Sequence, residues 1–303
     1  MSAELFALLA ATCFAGSQVT AKRGLVTTSV VGGVLISVST ALVVLAISVA
    51  FDPPQSVDVT AIAFFAGAGI AAPGISRWAA TTGVHVLGPS IAVPITQGAR
   101  PLLAVAGAIA FLDEALDPQR AIALFAIVAG GWELSRSRGE AQALGMGSLE
   151  GTLEDERSSR HFFRPGIAFP LVAGLAYATS DVLAKEGLRQ LGDPSFGALV
   201  GIGTALLVWL VVVTVSSAVR ERVHFGPHRG WLVLSGALAG LALLNLFNAL
   251  DRGDVTLVSP IIATQPLAVF VLSRLLLRDL EKLHPSTVLA GTSIVIGTIV
   301  MSL

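Results

Sequence analysis

Arg100 places a full positive charge in the middle of a long apolar run. It lies 12 positions from each end of residues 88–112, which is about 18 Å of helix in either direction. An arginine side chain cannot reach a membrane surface across that distance, and its exposure to lipid would cost several kcal/mol. Arg100 should therefore face a bundle interior or water. There it could bind an anionic group of a ligand, or it could hydrogen-bond helix carbonyls or another polar side chain.

Two glutamines lie beside prolines at matching places in two apolar runs. Gln97 follows Pro94 by three positions, and Gln265 directly precedes Pro266. Proline inside a helix removes a backbone donor and frees the carbonyl four residues earlier. At membrane depth, such a carbonyl is tolerated only against protein or a water-filled cavity. The two amides could bind a ligand in that cavity, or they could join neighbouring helices.

Asn245 and Asn248 are three positions apart and share one face of a predicted helix. They could line a cavity or bond to a neighbouring helix. Asp181 stands four residues before Lys185, an order that predicts an ion pair within one helix near its solvated end. Lys185 itself could anchor that end at the membrane surface, or it could contact a ligand. The predicted ligand-binding residues are Arg100, Gln97, Gln265, Asn245 and Asn248.

The sequence contains little that indicates a metal site or a catalytic site. His224 and His228 have the spacing of a helical metal pair, but a Gly-Pro step between them predicts a loop. Asp251 and Asp254 belong to a predicted turn. Phosphate-binding loops, zinc-protease helices and serine-hydrolase elbows are absent from the sequence. We therefore predict no cofactor, no metal and no enzyme activity.

The composition is that of a membrane protein. Of 303 residues, 54% are hydrophobic and 13% are charged, against roughly a quarter charged in soluble domains. The mean hydropathy is +0.80. Nineteen basic residues balance 20 acidic ones, so the chain lacks the positive field that nucleic-acid binding needs. The predicted fold class is an all-α integral membrane protein in contact with the lipid bilayer.

Ten apolar segments are long enough to span a bilayer. We number them 1 to 10 in chain order. The polar, Gly- and Ser-rich residues 136–165 predict a linker between a first half, 1–135, and a second half, 166–303. The segments cover residues 3–21, 30–51, 59–82, 88–112, 119–135, 166–184, 195–219, 230–250, 256–277 and 286–302.

The two halves repeat each other. Three short motifs recur with spacings of 163 to 168 residues: AKRGL at 21–25 and AKEGL at 184–188, Thr-Gln at 96–97 and 264–265, and Glu-x-Leu-x-Pro from Glu114 and from Glu281. Such regular spacing is typical of a duplicated unit. Because each unit has an odd number of spans, the second must be inverted in the membrane. The sequence therefore predicts two inverted five-helix repeats.

This duplicated pattern resembles the drug/metabolite transporter superfamily, specifically a pair of EamA-type domains. The resemblance rests on the Lys that ends the first helix of each half, the proline-broken fourth helix and the Glu-x-Leu-x-Pro element. It implies a ten-helix secondary transporter or exporter of small metabolites that performs no covalent chemistry. The alternatives are an integral membrane enzyme acting on a lipid-soluble substrate and a non-transporting membrane scaffold.

The distribution of basic residues predicts the orientation in the cell membrane. With the N-terminus outside, 14 Lys and Arg fall on the cytoplasmic side and four fall outside. The positive-inside rule then favours a cytoplasmic linker and two external termini. Bacterial members of the family are commonly drawn with cytoplasmic termini, so this prediction departs from the family. The predicted ligand is a small polar metabolite, an anion or a zwitterion, and the sequence makes no prediction of the oligomeric state.

Overall fold

The computed structural model describes residues 1–87, 89–116 and 165–265, together with 118, 121, 124–125, 268–269 and 271–272. These residues form helices and short connections and include no β-strand. Linker residues 136–164, most of segment 5 and all of segment 10 lie outside the described residues. So do Pro266 and the second Glu-x-Leu-x-Pro element.

Ten α-helices follow one another in the described chain. Pro165–Ile167 forms a short 3₁₀ turn before the second half. The helices are α1 (Ala3–Gly24), α2 (Val30–Phe51), α3 (Val59–Gly69), α4 (Ser76–Leu87), α5 (Pro89–Leu112), α6 (Ala168–Leu191), α7 (Pro194–Val215), α8 (Ser217–Arg220), α9 (Arg229–Arg252) and α10 (Val255–Ile262).

Among the described residues, five stretches are long and apolar enough to cross a membrane. They are Ala3–Ala21, Val30–Phe51, Val59–Ala80, Pro194–Val215 and Arg229–Arg252. The helices α5 and α6 have 24 residues each, which is about 36 Å and exceeds the roughly 30 Å hydrocarbon thickness. Both of them carry buried charges.

Polar residues fix several helix ends. The side chain of Ser29 accepts a hydrogen bond from the Gly32 N–H at the start of α2. Asp193 does the same for Phe196 at the start of α7. These bonds satisfy amides that have no partner within the helix. At the end of α6, Gly192 adopts a φ of 66°, a left-handed conformation that suits glycine and stops the helix.

Segment 3 is interrupted, although the sequence predicts one continuous span. A π-helical stretch, Ile70–Ile75, separates α3 from α4. Within it Ala72 leaves the helical conformation, with φ −141° and ψ 126°, and Pro73 follows. Proline cannot donate a backbone hydrogen bond, so it weakens the helix at this point. The interruption exposes polar backbone in the middle of the span.

The two halves interlock instead of lying side by side. The helix α1 packs against α9, and α5 packs against α6. Close contacts run through glycines: a Cβ at Gly69 on α3 would overlap the backbone of Gly201 on α7, and one at Gly236 would overlap Ser37 O. Small residues allow this backbone approach in membrane proteins.

Hydrogen bonds join the halves at each end of the bundle. At one end, which we call the latch face, the loop after α1 meets the loop before α9. There the His224 N–H donates to Ser29 Oγ at 3.0 Å, and the Gly226 N–H donates to Thr28 Oγ1 at 3.1 Å. The other end, which we call the clamp face, carries the turns after α2, α5, α6 and α9.

Candidate functional site

Arg100 and Asp181 form an ion pair between α5 and α6. Arg100 Nε donates to Asp181 Oδ2 at 3.2 Å, and Arg100 Nη2 donates to Asp181 Oδ1 at 3.1 Å. Arg100 is 9% exposed and Asp181 is 3% exposed. Two parallel contacts of this kind are the strongest geometry that a guanidinium and a carboxylate can adopt. The interior charge predicted for Arg100 therefore has a protein partner.

A glycine brings the two helices together at the ion pair. A Cβ at Gly174 on α6 would lie 2.8 Å from Ala99 Cβ and 3.3 Å from Arg100 N. Arg100 is 12 residues from the end of α5, and Asp181 is ten residues from the end of α6. Both charges are therefore about 15 to 18 Å of helix rise from the clamp face. They lie near mid-membrane depth.

Two further side chains contact the pair. Ser259 Oγ on α10 donates to Asp181 Oδ2 at 3.4 Å. The Arg100 guanidinium carbon lies 5.1 Å from the centroid of the Tyr177 ring, within the range of a cation–π contact. The hydroxyl stabilises the carboxylate, and the ring covers one face of the guanidinium. Three helices thus hold the two charges in place.

The pair borders a cavity of about 390 Å³ between the two halves. The cavity wall is mostly apolar and built from small residues such as Ala41, Ala68 and Ala198. Its volume falls in the range of small-molecule sites, which combine apolar walls with a few polar groups. The polar and charged residues in the lining are Ser17, Gln18, Ser37, Arg77, Thr96, Arg100, Tyr177, Ser180, Asp181 and Gln265.

The interruption between α3 and α4 forms part of this wall. Ala72 and Pro73, within the π-helical stretch, both line the cavity, and so does Arg77 one turn further along. π-helical turns inside α-helices are frequent at functional sites. Arg77 thus adds a second cationic side chain to the cavity wall. Its neighbour Trp78 is 55% exposed.

The predicted ligand-binding residues have different positions. Gln265 is 6% exposed and lines the cavity with Arg100. Asn245 and Asn248 bond instead within their own helix, where their amides donate to Leu241 O and Leu244 O. The cavity lining does not include either asparagine. The side chain of Gln97 lies outside the described residues.

The predicted ion pair between Asp181 and Lys185 within α6 is wrong. Lys185 Nζ donates to Leu250 O at 2.6 Å and to Gly253 O at 2.9 Å, and Asp181 binds Arg100 instead. Lys185 is 8% exposed, so it is not a surface anchor. Without Lys185 and the cavity residue Arg77, the cation count becomes 13 to 3. The helix extends to Leu191, seven residues beyond segment 6, and both side chains therefore lie deeper than the sequence suggested.

Asp181 is the site residue that the sequence reasoning missed. Segment 6 was ended at residue 184, which placed Asp181 within one turn of the surface. The signal for a longer helix was available: Gly192, Asp193 and Pro194 are a helix stop, a cap and a helix start in direct succession. Within the described residues, no group of three or more His, Cys, Asp or Glu could hold a metal ion.

Comparisons with known proteins agree with this architecture. The model of the EamA-like transporter family matches residues 1–135 and 164–303, which confirms the resemblance to tandem EamA-type domains. No curated protein matches the chain in a sequence search. One crystal structure, described only as that of a protein, is 16% identical with a TM-score of 0.75; the match covers 99% of this chain and 98% of that chain. At this identity the likeness concerns the fold alone.

Proposed function

The chain belongs to the EamA-like transporter family, and we propose that it is a secondary transporter of a small polar metabolite in the cell membrane. The proposed architecture is ten spans in two inverted five-helix repeats. The proposed mechanism is alternating access, in which the cavity opens to one side of the membrane and then to the other. The substrate carries a negative charge, as an anion or as part of a zwitterion. In this proposal the protein catalyses no covalent reaction.

The observation that carries this proposal is the position of the buried ion pair. Arg100 comes from the first half and Asp181 from the second, and both line the cavity between the halves. Ionisable residues at membrane depth are expensive and commonly mark substrate pathways. A pair that served packing alone could be replaced by apolar residues at little cost. The position of the pair in a cavity wall therefore favours a role in substrate binding as well as in packing.

Helix packing supports the inverted repeats. Segment 1 packs against segment 8, here α1 against α9, and segment 6 packs against the interrupted segment 3, here α6 against α3 and α4. An in-plane two-fold axis exchanges segments 1 and 6, and also segments 3 and 8. In the proposed arrangement each of these contacts would be the symmetry mate of the other, so the presence of both supports it.

The chemistry of Arg100 supports a negatively charged group on the substrate. Its guanidinium has five N–H donors, and the contacts with Asp181 use two of them. A carboxylate or phosphate in the cavity could bind the guanidinium in place of Asp181 or beside it. A zwitterion would also offer Asp181 a cationic group. Gln265 and Thr96 add neutral hydrogen-bonding groups to the same wall.

A transport assay tests the proposal. Comparison of the metabolites of cells with and without the protein identifies candidate substrates, which are then tested with purified protein in proteoliposomes under imposed gradients. Arg100→Gln should lower the transport rate per folded molecule by about tenfold or more. Arg252→Gln, which changes an exposed arginine outside the cavity, is the matched control.

Two results would contradict the proposal. Normal transport per folded molecule in Arg100→Gln would exclude the substrate role of Arg100 and would leave Gln97 and Gln265 as the remaining candidates. Chemical turnover of a substrate without its movement across the bilayer would favour the membrane enzyme.

A further inference from the structure

The turn between α9 and α10 is held by two buried side chains of opposite charge. Lys185 Nζ donates to the carbonyls of Leu250 and Gly253, at the end of α9. Glu114 accepts hydrogen bonds from the N–H groups of Val255 at 3.0 Å and Thr256 at 2.9 Å, at the start of α10. Lys185 is 8% exposed and Glu114 is 7% exposed.

Each charge matches the helix end that it binds. The C-terminal end of a helix carries a partial negative charge and the N-terminal end a partial positive charge. The ammonium of Lys185 faces the C-terminal end of α9, and the carboxylate of Glu114 faces the N-terminal end of α10. Both also satisfy backbone groups that have no partner within their helices. Charge-assisted hydrogen bonds of this kind are roughly twice as strong as neutral ones.

The contacts of Glu114 tie the first half to the second at the clamp face. Glu114 follows α5 of the first half directly, whereas α10 belongs to the second half. Lys185 links α6 to the same turn. If the cavity is to open towards this face, the turn must separate from α5 and α6, and these hydrogen bonds must break.

An apolar layer lies between the clamp face and the ion pair. Phe65 and Phe247 are 0% and 5% exposed, and their ring centroids are 6.0 Å apart. Each lies within about 10 Å of helix rise from the clamp-face end of its helix. Towards the latch face the cavity wall includes the exposed Gln18. Among the described residues, the two buried rings thus stand between the ion pair and the clamp face.

We propose that Glu114 and Lys185 are the gate that keeps the clamp face closed, so that release of the turn between α9 and α10 opens the cavity to that face. This inference rests on the proposed transport function. Loss of either side chain shifts the protein towards the state in which the clamp face is open and the latch face is closed.

Reporter cysteines on each side of the cavity test the gate. Cys13, the single cysteine of the sequence, is first replaced by serine. In this background Ala198→Cys places a thiol in the cavity wall near the clamp face, where Ala198 is 1% exposed. Gln18→Cys reports access from the latch face. An impermeant maleimide is added to intact cells and to inside-out vesicles, so that each face is probed separately.

We expect Lys185→Met and Glu114→Gln to raise the labelling rate of Ala198→Cys from the clamp face by about tenfold or more. The labelling of Gln18→Cys from the latch face should fall at the same time. Arg189→Met is the matched control, because Arg189 lies on the same helix and forms a partly exposed ion pair with Glu186 at 3.8 Å. It should leave both rates unchanged.

Opposite changes at the two reporters distinguish a gate from a structural contact, since general loosening would raise both rates. A rise at both reporters, or no change at Ala198→Cys in either variant, would overturn the proposal. Where Lys185→Met fails to reach the membrane, Glu114→Gln alone decides. The labelling needs no substrate, so failure of the gate is distinguishable from failure of the transport function.

Discussion

Arg100 and Asp181 each bury a charge that the other neutralises. Removal of one partner from a buried pair typically costs 3–5 kcal/mol, because the remaining charge stays in a medium of low polarity. Replacement of both partners by neutral groups costs much less. A single substitution at Arg100 therefore changes two properties at once, the binding chemistry of the cavity and the stability of the fold.

The pair gives a prediction about stability. Arg100→Gln and Asp181→Asn should each lower the melting temperature of the purified protein in detergent, and the double variant should recover most of the loss. Thermal unfolding of the wild type, the two single variants and the double variant measures the coupling between the two charges. Losses that simply add in the double variant would show that the two charges do not stabilise each other.

The sequence predicted one member of this pair and missed the other. Arg100 was identifiable because a charge far from both ends of an apolar run has to face the interior. Asp181 was not, since its position depends on where α6 ends, and a nearby lysine offered a local partner. Contacts between halves, such as that of Glu114 with the N–H group of Val255, leave no trace in local spacing.

At the scale of helices, the lengths of the apolar segments predicted the bounds of most membrane-spanning helices in the described residues. The predicted bounds of segments 1, 2, 4, 7 and 8 differ from α1, α2, α5, α7 and α9 by at most four residues. Apolar runs fix these helices because lipid leaves each span to satisfy its own backbone. The interruption at Ile70–Ile75 was missed, because hydropathy is blind to a proline within an otherwise apolar run.

Glycine packing between helices gives a second prediction. Gly69→Val should destabilise the protein by about 1–3 kcal/mol or reduce its folded amount in the membrane, because the new side chain would overlap the backbone of Gly201. Gly230→Ala is the control, as no atom lies within 4 Å of the added Cβ. The amount of monodisperse protein after solubilisation measures the effect, and equal yields would contradict the prediction.

The cap of α3 gives a prediction about pH. Hydrogen bonds from the N–H groups of Ala61 and Thr60 hold the pKa of Asp58 below its ordinary value of 3.8. A lowered pKa contributes stability above the unfolded value, and this contribution is lost as the pH falls through the folded value. The melting temperature of the wild type should therefore exceed that of Asp58→Asn at neutral pH, and the difference should shrink below about pH 4. A difference independent of pH would contradict this role of the charge.

For the whole molecule, chain alternation and loop contacts place the described turns on two opposite faces. The loop after α1 meets the loop before α9 at the latch face, whereas Glu114 meets the start of α10 at the clamp face. These contacts fix the faces relative to each other. Which face is external is predicted only by the cation count.

Cysteine labelling checks this orientation. In a Cys13→Ser background, Val57→Cys at the clamp face should react with an impermeant reagent on intact cells, and Phe225→Cys at the latch face should react only after permeabilisation. Both native side chains are exposed, at 61% and 51%. Ser148→Cys, in the linker outside the described residues, should behave like Phe225→Cys. The reverse pattern would place both termini in the cytoplasm.

The ion pair has a consequence for the history of the duplicated chain. At the spacings of the repeat, Asp181 corresponds to Gln18 and Arg100 corresponds to Ala268. Neither charge has a charged counterpart in the other copy. Two identical copies, as in an ancestral dimer of single units, would have held either two such pairs, related by the two-fold axis, or none. A single compensated pair requires copies that have diverged, and fusion into one chain ensures that an arginine from one copy always meets the aspartate of the other.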